Sequence, residues 1–231
     1  MNHIVLALTR KFEDKADPVR AIQQKAYMRN QFEFFGIGSP ERSVVFREIF
    51  AAAKSISQAE IEKIIDETWS LPQREYQYFG MELANRHIKK MNLHFFEQIE
   101  LMITRKSWWD TGDMIAAHLA GTLFFQFPGL IPEYTGKWMT SGNMWLQRSA
   151  LLFQLSYKSK TNPDLLFNLI QQLSAHSDFF IRKAIGWALR EYSKTNPKAV
   201  IDFVDKHQLS PLSKKEALKW ITAKKYYLGL I

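Results

Sequence analysis

Four side chains in the second half of this chain are of types that could do chemistry together, two indoles, a carboxylate and a guanidinium: Trp109, Asp113, Arg148 and Trp187. Trp109 and Asp113 are spaced i, i+4, which puts an indole and a carboxylate on one face of one helix. The stripe continues through Ala116, Ala117 and Ala120, small residues that leave room beside the pair. Asp113 has two readings: a first-turn acid favoured by the helix dipole, or a carboxylate set beside an aromatic ring in a cleft. Arg148 has three: a solvated arginine, a salt bridge between neighbouring elements with Asp113 as partner, or a phosphate clamp, for which a planar guanidinium is well shaped. Trp187 lies off the apolar face of its helix, on a stripe with Lys183, Arg190 and Lys194 and beside Gly186. An indole ringed by cations outside the core points to an anionic, flat-faced ligand, and nucleic acid fits best.

The helix that carries Trp187 is well marked. Ser177 to Pro197 opens on polar Ser177-Asp178 and stops at Thr195-Asn196-Pro197. At ~100° per residue, Ile181, Ala184, Ile185, Ala188, Leu189 and Tyr192 make one apolar face. The same pattern occurs earlier in the chain. Tyr157-Lys158-Ser159-Lys160-Thr161-Asn162-Pro163 resembles Tyr192-Ser193-Lys194-Thr195-Asn196-Pro197, the tyrosines 35 positions apart and the prolines 34. Trp145 to Ala150 likewise aligns with Phe180 to Ile185, and stepping 35 back from Arg148 reaches Asp113. A helical period in the mid-thirties predicts stacked helix pairs, each burying its apolar face on its neighbours, in a curved array with a concave binding side. Asp113, Arg148 and Lys183 should then form a row along one face.

The remaining elements are also helical. Asn2 to Phe12 reads as a short amphipathic helix, and Asp17-Pro18 caps a second that should run to about Phe35. Gly36 to Pro40 is a turn, after which a third helix reaches about Ala53. Ser57 and Glu60 make a capping box, and a helix opened by Leu71-Pro72 runs to about Lys90. His94 to Thr104 follows, then a second capping box in Ser107 to Asp110, which would account for Asp110. Tyr27, mid-helix among apolar neighbours, reads as a core tyrosine. No alternating strand pattern occurs. The expected fold is all-α, a single domain over residues 1–231.

With 231 residues the chain can bury a substantial core. Lysine and arginine total 31 against 23 acids, a net charge of +8 and a pI near 9.5, which favours nucleic acid over an anionic membrane surface. The absence of cysteine excludes disulfides, thiolate chemistry and Cys-ligated metals. The six histidines show no metal-ligand spacing, and no Gly-rich phosphate loop or nucleophile elbow is present. The apolar run Met114 to Ile131 is interrupted by His118, Gln126 and Pro128-Gly129, and the N-terminal run is too short for a signal peptide. The chain therefore reads as a soluble intracellular protein.

Lys106 to Asp113 (KSWWDTGD), Met144 to Arg148 (MWLQR) and Asp178 to Pro197 (DFFIRKAIGWALREYSKTNP) strongly resemble the AlkD-type DNA alkylation repair glycosylases. Ala26 to Ile37 and Pro211 to Ala217 extend the likeness towards both ends. The resemblance implies a HEAT-like array, an α-solenoid, whose basic concave face grips duplex DNA. It implies hydrolysis of the bond between deoxyribose and a cationic N3- or N7-alkylpurine, with no metal or cofactor and no obligatory protein partner. Carried over residue by residue, Trp109 and Trp187 face the lesion with Tyr27 nearby, Asp113 is the catalytic carboxylate, and Arg148 holds the backbone beside the lesion. The basic stripe, Lys183, Arg190 and Lys194, joins Tyr27 as the DNA-binding set.

The implied chemistry suits these residue types. An alkylated purine carries positive charge, so its glycosidic bond is weakened in advance. As the base leaves, charge builds on the sugar as an oxocarbenium ion, which a carboxylate stabilises while orienting water. Indole faces attract the cationic groups. Two other expectations compete: a HEAT-like binder of damaged or branched DNA without catalysis, and a protein–protein scaffold with an acidic partner.

Overall fold

The computed structural model describes residues 2–52 and 56–227. Among these the chain is helical, and the only extended pairing is an isolated bridge between Glu33 and Gln73. Two compact units, Met1–Gln98 and Ile99–Ile231, divide it.

The first unit holds α1 (His3–Asp14), α2 (Pro18–Tyr27), α3 (Ser39–Ala52), α4 (Gln58–Ser70) and α5 (Arg74–His87). The capping residues act as expected: Asn2 accepts from the Ile4 N–H, Asp17 from that of Arg20, and Ser57 and Glu60 form a complete capping box. Leu8, Phe12, Val45, Ile61, Ile64 and Phe79 are buried where α1, α3, α4 and α5 pack. The expected end of α3 at Ala53 lies outside the described residues.

The second helix is shorter than expected. It stops at Tyr27 instead of near Phe35, because Arg29 and Asn30 turn left-handed, with φ of 55° and 59°. From there the chain is captured by tertiary contacts. The buried Glu75 carboxylate accepts the backbone N–H groups of Phe35, Gly36 and Ile37 at 3.1, 3.0 and 3.2 Å. Gly36, at φ 89°, passes so close to α2 that a Cβ would lie 2.1 Å from the Asp17 carbonyl oxygen. Continuing the helix would forfeit those bonds. Tyr27 thus ends α2 rather than lying in its middle, and it is 69% exposed, not a core residue.

The second unit contains the repeats. Helix α6 (Phe95–Thr104) spans the boundary, followed by α7 (Trp109–Met114), a π-helical segment (Ile115–Ala120), α8 (Gly121–Gln126), α9 (Ile131–Thr140) and α10 (Met144–Leu152). Then come α11 (Pro163–Leu173), α12 (Phe179–Ser193), α13 (Pro197–Lys206) and α14 (Pro211–Tyr227). Helices α10, α12 and α14 pack in succession, each also against a helix of the other row: α10 on α9, and α12 and α14 on α13. Phe167 of α11 stacks on Phe203 of α13, centroids 4.3 Å apart.

This is the all-α, HEAT-like stacking that the 35-residue period predicts. All six positions of the expected apolar face of α12 are buried. The repeated Thr-Asn-Pro supplies the same device twice, with Asn162 and Asn196 as N-caps and proline in the first turn of α11 and α13. No single helix among the described residues is long and apolar enough to cross a membrane.

Candidate functional site

Helix α7 begins differently from its sequence pattern. Ser107 does not cap it: its hydroxyl donates back to the Ile103 carbonyl at 2.6 Å, and Trp108 takes the N-cap position without a side-chain bond. The expected second capping box is therefore absent: the helix starts one residue later, with Trp108 rather than Ser107 at the N-cap. Asp110 loses that explanation and lines the cleft described below. The π-helical turn starts two residues after Asp113. Its wider spacing rotates the following side chains away from a regular α-helical stripe. Ala116 and Ala120 are consequently fully buried and leave no open space, while Ala117 reaches the cleft wall.

One helix pair along, Asn143 caps α10 through bonds from the Trp145 and Leu146 N–H groups. This start places Arg148 one turn in, facing α7. Of its three readings, the contact between repeats is present. Nε and Nη2 of Arg148 donate to Oδ1 and Oδ2 of Asp113 at 2.7 and 2.8 Å, a two-pronged ion pair, and Nη1 donates to the Phe180 carbonyl. The Arg148 side chain is only 6% exposed, so the solvated reading fails. Trp108, Trp145 and Phe180 form an aromatic cluster with centroids 5.2–5.8 Å apart, and the guanidinium lies 6.0 Å from the Phe180 ring. A guanidinium so confined holds the carboxylate in one orientation. Two of a carboxylate's roughly four acceptor directions are used, and about two remain.

Helix α12, capped by Asp178, carries the basic stripe. Glu216 of α14 binds two of its cations at once, Lys183 Nζ at 2.9 Å and Arg190 Nη1 at 2.6 Å. The hydrogen bond from Lys183 is the main influence holding the Glu216 carboxyl below the usual range, with the charges of Lys183 and Arg190 adding to it. Lys194 pairs with Glu191 at 2.7 Å. Gly186 explains how Glu216 arrives. A Cβ at this position would lie 2.5 Å from Glu216 Cβ and 2.9 Å from the Ser213 carbonyl oxygen. The glycine is therefore a point of close helix–helix approach, not a gap in a ligand surface. Gly186→Ala should destabilise the protein by ~1–3 kcal/mol through overpacking, outweighing the gain in helix propensity of ~1 kcal/mol. A thermal melt that is unchanged or raised would contradict this packing role.

Trp109, Asp113 and Trp187 stand between two adjoining clefts. One, of ≈ 420 Å³, is lined also by Arg148, Phe180, Lys183, Arg190 and Glu216. The other, of ≈ 440 Å³, is lined also by Asp110, Ala117, His118, Leu155 and Glu191. Six of the eight residues singled out in the sequence thus share one cleft. Lys194 lines a smaller neighbouring cavity of ≈ 190 Å³, and Tyr27 lines a cleft of ≈ 320 Å³ in the first unit with Arg20, Met28, Arg42 and Tyr78. Sequence reasoning assigned Asp110 to a cap and did not single out His118, Glu191 or Glu216. Of these only Glu216 had a usable signal, the glycine at position 186 that makes room for α14.

The family model for DNA alkylation repair enzymes matches residues 8–221 of the chain. A solved structure described as a predicted DNA alkylation repair enzyme from Enterococcus faecalis is 32% identical, with a TM-score of 0.84 over 89% of this chain and 96% of its own. Among curated proteins none matches the chain significantly.

Proposed function

The chain belongs to the DNA alkylation repair enzyme family, and from that membership we propose that it is a monofunctional DNA glycosylase acting on N3- and N7-alkylpurines in duplex DNA. The observation that carries the reading is the Asp113 carboxylate, oriented by Arg148 at 2.7 and 2.8 Å and flanked by two tryptophans at the junction of two clefts. In this mechanism the bond between C1′ and the purine nitrogen breaks with its electron pair going to the base. The base leaves neutral, so no strong general acid is required. Positive charge passes to the sugar, where Asp113 stabilises it across a short, partly desolvated gap. Water then adds at C1′ and gives up a proton to solvent, leaving an abasic site. Trp109 and Trp187 attract the cationic base and sugar. Arg148 keeps the carboxylate in place and turns its remaining N–H groups to the phosphodiester beside the lesion. Lys183, Arg190 and Lys194 with Tyr27 hold the DNA, and a single chain working in the cytoplasm suffices.

The test is release of free N7-methylguanine from a duplex oligonucleotide carrying that lesion. Release with an intact abasic strand, cleaved only on later alkaline treatment, is expected. Tight binding of the duplex with no release would replace this reading with that of a non-catalytic binder of damaged DNA.

A further inference from the structure

The cations of the basic stripe on α12 already have partners within the protein. Lys183 and Arg190 line the cleft beside Asp113, yet both already hold Glu216, and Lys194 at the end of the same stripe holds Glu191. We infer that Glu216 is an internal counter-ion which a DNA phosphodiester must displace, so that it limits how tightly the cleft holds undamaged duplex. The inference rests on the glycosylase reading.

Three features carry it. The first is placement: Glu216 lies in the cleft wall with both cations, delivered there by the approach of α14 at Gly186. The second is accessibility. The Lys183 and Arg190 side chains are 37% and 25% exposed while Glu216 is 14% exposed, so both cations present surface that an incoming anion can reach in competition with the carboxylate. The third is chemical equivalence. A phosphodiester carries one negative charge and offers oxygens to lysine and arginine much as a carboxylate does. Partly exposed ion pairs of this kind are weak, so exchanging one anion for another is feasible.

The consequence is selectivity. Undamaged DNA is present in vast excess, and affinity from phosphate contacts alone carries no information about damage. Quenching the cations nearest the carboxylate lowers that background. The cationic lesion, lying against Trp109, Asp113 and Trp187, then supplies a larger share of the binding.

The experiment compares wild type with Glu216→Gln on one undamaged duplex and the same duplex carrying N7-methylguanine, over a series of salt concentrations. Glutamine keeps the volume and a hydrogen-bonding oxygen and removes the charge. The variant should bind undamaged duplex about 5- to 10-fold more tightly at low salt. Its log K against log salt should be steeper by ~0.9, the change for one additional effective positive charge. Its preference for the damaged duplex should fall. Glu216→Asp, which keeps the charge, should leave the salt slope at the wild-type value, and circular dichroism melts of both variants check folding. Equal or weaker binding by Glu216→Gln, with no change in slope, would overturn the inference and make Glu216 an orienter of the two cations. Failure of wild type to bind any duplex would instead remove the functional reading on which it depends.

Discussion

Asp113→Asn should slow release of N7-methylguanine by about 10²–10³-fold, the loss typical of deleting one pre-organised electrostatic contact to a transition state. Asparagine keeps an oxygen that can accept from Arg148 and nearly the same volume, so the geometry changes little while the negative charge disappears. The charge matters because it faces a sugar that becomes cationic only as the bond breaks. Binding of undamaged duplex should therefore change far less than the rate. The substitution also strands a guanidinium whose side chain is 6% exposed, keeping only the Phe180 carbonyl and a neutral amide as partners. Breaking a buried pair by removing one member costs ~3–5 kcal/mol. Single-turnover rates must accordingly be measured with enzyme in excess and below its melting transition. Release at the wild-type rate would remove Asp113 from the mechanism.

The second large effect lies in the first unit. Glu75→Ala should lower unfolding stability by roughly 3–6 kcal/mol, since three N–H groups lose their acceptor at ~1–3 kcal/mol each, less what water entering the cavity recovers. These are the Phe35, Gly36 and Ile37 groups that hold the segment after α2. The pH dependence has a definite sign. Burial pushes the Glu75 carboxyl above the usual carboxylate range, and the backbone bonds only partly oppose that. A carboxyl whose folded value is raised binds its proton more tightly in the folded state. Its contribution is then fully present below the unfolded value and is lost as pH rises through the raised one. Glu75→Gln should lack that part of the slope. Denaturant titrations at several pH values check both statements. A Glu75→Ala chain as stable as wild type would show that water satisfies the three donors.

Much of this protein was legible in its sequence wherever a property depends on local spacing. The apolar face of α12 is buried at every position its periodicity marks, because a 3.6-residue repeat leaves one face to be covered. The 35-residue offset between Asp113 and Arg148 became a direct ion pair, because stacked repeats bring equivalent positions into register. Where a local pattern had a competitor from another element, it misled. Ser107 had the sequence of a cap, but α7 starts one residue later and the serine hydroxyl turns back to the Ile103 carbonyl of α6, and the helix from Pro18 ended early because Glu75 bound the backbone after it. The alanines after Asp113 looked like open space until a π turn rotated two of them into the core.

The sequence by itself determined the helices, their repeat and the row of chemically capable residues along it. Those follow from periodicity and capping, which act over a few residues. Only the tertiary structure decided the electrical state of that row. Arg148 is committed to Asp113, and the cations beside Trp187 are already answered by Glu216 from α14 and by Glu191. A charge is priced by the groups around it in space, and here the partners of Arg148, Lys183 and Arg190 come from other helices, 26 to 35 positions away in the chain.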